Sequence, residues 1–82
     1  MSTRPEPVHL ELDCRQMLCP LPVIELAKAF PGVPVGAVVA VVTRDVAART
    51  DIPAWCRMRG QEYVGEDLAD DGAPRHLVRR SS

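Results

Sequence analysis

Residues 37–43 read Ala37-Val38-Val39-Ala40-Val41-Val42-Thr43. Apolar side chains fall on both parities, so the stretch is predicted as a strand covered on both sides or flanked by neighbours in the middle of a sheet. The longer apolar run around it, Val33 to Val42, is about half of what a bilayer span requires. No charged, hydrophobic, cleavable leader is legible at the N-terminus, so the cytoplasm is the expected location.

Upstream, Val23, Leu26, Ala27 and Phe30 recur at i, i+3, i+4 and i+7, which predicts a helix with one face packed on a sheet. Pro20 suits its first position, where a missing N–H costs nothing, and Pro22 is tolerable within the first turn. Pro31-Gly32 ends it. Before this helix, Val8, Leu10 and Leu12 alternate with His9, Glu11 and Asp13, the period of a strand with one buried face. Cys14 falls on the buried parity.

Downstream, Ala48, Ile52, Trp55, Cys56 and Arg59 predict a second helix over residues 47–59. Pro53 is expected to kink it or to restart it from an Asp51 cap, and Gly60 closes it. Residues 63–68 and 75–79 flank the turn dipeptide Asp71-Gly72 and read as an antiparallel pair. The order is βαβαββ. Right-handed crossover makes the first two strands parallel and puts both helices on one face. The fold class expected is α/β (α+β): a two-layer sandwich with a four-stranded mixed sheet, one domain over residues 8–80. Met1 to Pro7, with Pro5 and Pro7, reads as a disordered or extended arm.

Eighty-two residues, 46% hydrophobic and 26% charged with net charge −1, suit one small soluble domain with a modest core. A nucleic-acid surface usually leaves a clustered basic excess. Here Arg75, His76, Arg79 and Arg80 are offset by Glu62, Glu66, Asp67, Asp70 and Asp71, so no direct nucleic-acid contact is expected. Three cysteines argue for reduced thiols over a disulfide framework.

Of these, Cys14 and Cys56 read as core. Cys19 does not, because Leu18-Cys19-Pro20-Leu21-Pro22 places it at the start of the first helix. Unpaired N–H groups and the positive end of the peptide dipole stabilise a thiolate there. Such a thiolate attacks a sulfur electrophile, holds the sulfur as a persulfide and surrenders the outer atom to another nucleophile. Leu21 and Ile24 lie off the packed face and are candidates for partner docking. Hydrolytic cysteine chemistry needs a histidine base, whereas His9 and His76 both read as surface residues. Neither zinc-type ligand spacing nor a C-x-x-C pair is present; no metal or cofactor is expected, and no complete independent active site.

Through Leu12-Asp13-Cys14-Arg15, Cys19-Pro20-Leu21-Pro22 and Thr50-Asp51-Ile52-Pro53-Ala54-Trp55-Cys56, the chain resembles the TusA-like (SirA-like) sulfur carrier family. The resemblance implies that Cys19 accepts sulfane sulfur from a cysteine desulfurase or rhodanese-like donor and passes it to a downstream relay protein. It further implies service in tRNA thiolation, cofactor synthesis or sulfur metabolism. Pro20 and Pro22 would shape the helix start, and Arg15 would favour the anionic sulfur. Gln16 stands where the family usually has glycine, and Arg44-Asp45-Val46 replaces its usual Asp-Asp-Pro or Asp-Pro turn. Two alternatives stay open: a non-catalytic regulatory or interaction module, and a thiol redox switch with Cys14 as resolving thiol.

Overall fold

Alternation at the start of the described chain, residues 8–18 and 20–82 of the computed structural model, produces β1 (Val8–Asp13). The arm expected over residues 1–7 lies outside the described residues. Helix α1 spans Leu21–Ala29 and runs into a short 3₁₀ turn at Phe30–Gly32. The apolar stretch forms β2 (Val38–Val42), buried at every position. Helix α2 (Ala48–Arg59), β3 (Glu62–Leu68) and β4 (Pro74–Arg79) complete the chain.

The sheet order is β1-β2-β4-β3. Strands β1 and β2 are parallel, and β4 runs antiparallel to both β2 and β3. This is the mixed four-stranded α+β sheet expected. Both helices pack on the face presenting Val39, Val41 and Val78, where Leu26, Phe30, Ile52, Trp55 and Cys56 close the main core. Each fully buried aliphatic chain there contributes about 1.5–3 kcal/mol through removal from water. Phe30 meets Trp55 edge-to-face, with centroids 5.1 Å apart, the arrangement aromatic quadrupoles favour. The opposite face carries a smaller cluster of Val38, Ala40 and Leu77. Neither helix, of nine and twelve residues, is long and apolar enough to cross a membrane.

Four local expectations are corrected. Val8 does not share a face with Leu10 and Leu12: the register slips between Val8 and Leu10, so Val8 packs on the smaller cluster and Leu12 on the main core. Leu10 is left exposed. Helix α1 begins at Leu21, with Pro20 as the N-cap and not the first helical residue. Asp51 does not cap α2. It lies inside a helix that continues through Pro53, and the turn into the helix is held by Asp45, whose Oδ1 accepts the Ala47 N–H at 3.0 Å. Finally, His76 is buried, because β4 lies between β2 and β3. Gly60 closes α2 as expected, at φ 70°, a left-handed angle that glycine takes without steric penalty.

Candidate functional site

Strands β1 and β2 end side by side, and the segments leaving them build the site. The Cys14 N–H donates to the Val42 carbonyl at 2.8 Å, extending the parallel ladder by one residue. The Cys14 carbonyl then accepts the Met17 N–H at 3.1 Å, closing a four-residue turn over Arg15 and Gln16. No described residue other than glycine has positive φ. Gln16 therefore occupies this turn without the strain that a left-handed position would impose on a side chain.

Cys19 lies outside the described residues, and the chain is described on either side of it. The Leu21 N–H donates to the Leu18 carbonyl at 2.9 Å, and the Ile24 N–H to the Pro20 carbonyl at 3.1 Å. Pro20 is exposed, whereas Pro22 is fully buried, so the second proline anchors the helix start in the core. The N-cap has no side-chain hydrogen bond and the first turn has no acidic residue. Within the first turn of α1 itself, then, no acidic side chain offsets the positive end of the helix.

Around this terminus the surface is apolar. Leu18 is 72% exposed, Leu21 48% and Ile24 43%. A shallow cleft of about 230 Å³ runs beside them between the two helices, lined by Pro20, Val23, Asp51, Ala54, Trp55 and Met58.

Arg15 is held by two carboxylates. Its Nη1 lies 2.9 Å from Asp13 Oδ1, and its Nε 2.9 Å from Asp71 Oδ2. Arg44 Nη2 meets the same Asp71 oxygen at 2.8 Å. The Arg15 bonds and the Ala73 N–H hold the Asp71 carboxyl below its usual range. The sequence marks Asp71 as a turn residue and as one of the acids offsetting the C-terminal basic residues, and gives Arg44 no partner. The two lie 27 positions apart, and no local pattern joins them.

The two described thiols are both buried. Cys14 is buried in the main core, and burial, with Glu25 and Asp13 nearby, pushes its thiol up. Cys56 is pushed up to about 11 by burial. Both are therefore poor nucleophiles in the folded protein. His76 faces Tyr63, its Nδ1 lying 3.0 Å from the phenolic oxygen. Burial lowers its pKa, which keeps the ring neutral and committed to the β3–β4 pair.

The family described as Sulfurtransferase TusA matches residues 10–80 of this chain. The chain belongs to the TusA family. Sulfur carrier protein TusA of Pseudomonas syringae pv. syringae is 35% identical over 75 residues, covering 92% of this chain and 88% of the relative. The TusA of Pseudomonas entomophila, also named a sulfur carrier protein, is 36% identical over 71 residues, 87% and 88% of the two chains. A SirA-like protein from Desulfitobacterium hafniense superposes with a TM-score of 0.74 at 22% identity, covering 89% of this chain and 99% of its own. That likeness shows a shared fold. Arg44, expected from the resemblance to depart from the family's usual turn, is paired with Asp71.

Proposed function

We propose that this protein is a sulfur carrier in which Cys19 holds sulfane sulfur as a persulfide. The start of α1 carries the reading: a helix terminus with neither a side-chain cap nor an acidic first turn, directly after Cys19 in the chain, favours a thiolate. Membership of a family whose relatives are named sulfur carrier proteins supports the same role.

In the proposed reaction the Cys19 thiolate attacks the outer sulfur of a donor persulfide, on a cysteine desulfurase or a rhodanese-like protein. The donor's S–S bond breaks and its inner sulfur leaves as thiolate, while a new S–S bond forms on Cys19. Oxidation level is conserved overall, and the outer sulfur loses its proton to solvent. A nucleophile on the downstream relay protein then takes that atom and Cys19 leaves as thiolate. The acceptor pathway is tRNA thiolation, cofactor synthesis or sulfur metabolism. Pro20 and the buried Pro22 fix the helix start, Arg15 steadies the turn that precedes it, and exposed Leu21 and Ile24 dock the partner.

The test is intact mass after incubating the reduced protein with a cysteine desulfurase and free cysteine. One sulfur atom is gained by the native chain, released by reductant, and not gained by Cys19→Ala. No gain in the native chain, or the same gain in Cys19→Ala, overturns the proposal.

A further inference from the structure

Three segments far apart in sequence meet on one carboxylate. Asp71 receives Arg15 through two bonds, Nε to Oδ2 at 2.9 Å and Nη2 to Oδ1 at 3.4 Å. It receives Arg44 at Oδ2, 2.8 Å away. Its Oδ1 also accepts the Ala73 N–H at 3.1 Å, which shapes the β3–β4 turn around it, where the Ala69 N–H donates to the Ala73 carbonyl.

Each arginine belongs to a segment that leaves the C-terminal end of a parallel strand. Arg15 lies inside the turn closed from Cys14 to Met17, and Asp13 Oδ1 accepts the Arg15 backbone N–H at 3.2 Å. Arg44 lies between Thr43 and Asp45, where the Asp45 N–H donates to Thr43 Oγ1 at 3.1 Å. One segment leads to Cys19 and α1, the other to α2. Bonds within each segment set its shape, and Asp71 sets one segment against the other. Exposed ion pairs of this kind contribute little to global stability, so the consequence is expected locally.

We propose that Asp71 is a positioning residue: through Arg15 and Arg44 it locks the turn preceding Cys19 onto the segment preceding α2, and thereby fixes the approach of the chain to the start of α1. The inference rests on the reading of Cys19 as the reactive thiol. It does not require that sulfur be the cargo.

The two consequences of removing Asp71 have opposite signs. Loss of a negative charge alone favours a neighbouring thiolate and lowers the pH midpoint of Cys19 alkylation. Loss of positioning loosens the approach to the helix start, weakens the stabilisation that a helix terminus gives a thiolate, and raises it. The experiment compares iodoacetamide alkylation of Cys19 against pH in the native full-length chain and in Asp71→Asn, with the site of modification read by peptide mass. Asparagine retains an oxygen acceptor for the Ala73 N–H but carries no charge for the arginines. The midpoint is expected to rise by roughly 0.5–1 pH unit, a three- to tenfold loss of thiolate below it.

Hydrogen exchange supplies the second readout. The Met17 and Leu21 amides should exchange at least severalfold faster in Asp71→Asn, while Val39 and Val41 in the sheet do not change. An unchanged or lowered midpoint overturns the proposal, as does unchanged exchange at Met17. If Asp71→Asn fails to fold, Asp71→Ser, which also retains an oxygen for the Ala73 N–H, is judged by the same criteria. Failure of the native chain to gain sulfur from a desulfurase overturns the sulfur-carrier reading instead, since neither alkylation nor exchange involves transferred sulfane sulfur.

Discussion

Replacing Arg75 by methionine tests how the exposed face of the sheet is held together. Arg75 is 2% exposed on the inner strand β4, yet its guanidinium reaches both edges of the sheet. Nε and Nη2 donate to Asp67 Oδ1 and Oδ2 on β3 at 2.8 and 2.7 Å, and Nη1 donates to Glu11 Oε1 on β1 at 2.9 Å. The bidentate bond to Asp67, whose side chain is 32% exposed, is worth about 1–2 kcal/mol. Glu11 is 43% exposed, and solvent screening reduces its share to about 0.5 kcal/mol. Methionine retains an apolar stem of similar reach, so Arg75→Met should lower stability by about 1.5–2.5 kcal/mol, a fall in Tm of roughly 6–20 °C for a domain of this size. Urea unfolding followed by far-UV circular dichroism measures it, with Asp67→Asn made in both backgrounds. The asparagine change should cost about 1 kcal/mol or more in the native chain and close to nothing beside methionine. If Arg75→Met unfolds within about 0.5 kcal/mol of the native chain, or if Asp67→Asn costs the same in both backgrounds, the bridge is not what binds the two edges.

Two further outcomes follow from the helix-covered face. Leu26 is completely buried between α1 and the sheet, so Leu26→Ala should cost about 3–4 kcal/mol by lost transfer energy plus a cavity, visible as a lower urea midpoint; a cost under about 1 kcal/mol would mean that the helix repacks freely. His76 is held neutral chiefly by burial, below its ordinary value of 6.5. The unfolded chain binds a proton at His76 that the folded chain does not, so this contribution to stability is complete above about pH 6.5 and is lost as pH falls below it toward the folded-state pKa. Urea midpoints at about pH 7.5 and 5.5 should therefore separate in the native chain and separate less in His76→Gln; equal separations would remove His76 as the cause.

Local chemistry was legible in the sequence, and lateral placement was not. The all-apolar run at 37–43 identified an inner strand, and the 3.6-residue spacing of Val23, Leu26, Ala27 and Phe30 identified the packed face of α1. Proline and glycine marked helix ends to within one residue. The break between Val8 and Leu10 was hidden because a bulge needs no special residue when φ stays negative. His76 was misread for a different reason. Residues 75–79 look half polar, and a hairpin motif does not say which of its strands lies inside. The order β1-β2-β4-β3 makes β4 internal, so Arg75 and His76 are buried and must find partners on β3, which they do in Asp67 and Tyr63.

The same distinction separates the two halves of the candidate site. Cys19, Pro20 and Pro22 announce themselves because a thiol before a proline-bounded helix start is a local arrangement with a local electrostatic consequence. Asp71 lies 56 residues from Arg15, and only the strand register brings the β3–β4 turn to the end of the sheet where β1 and β2 stop. That register also changes the meaning of Arg44. Taken alone, a cation in place of the family's acid suggests an altered partner surface. Bound to Asp71 at 2.8 Å, it has much of its charge compensated, and its first effect falls on the segment leading into α2. On the docking surface proposed above, a difference in partner choice would be sought in the exposed side chains of Leu18, Leu21 and Ile24. A contact made there would depend on shape and apolar area far more than on salt.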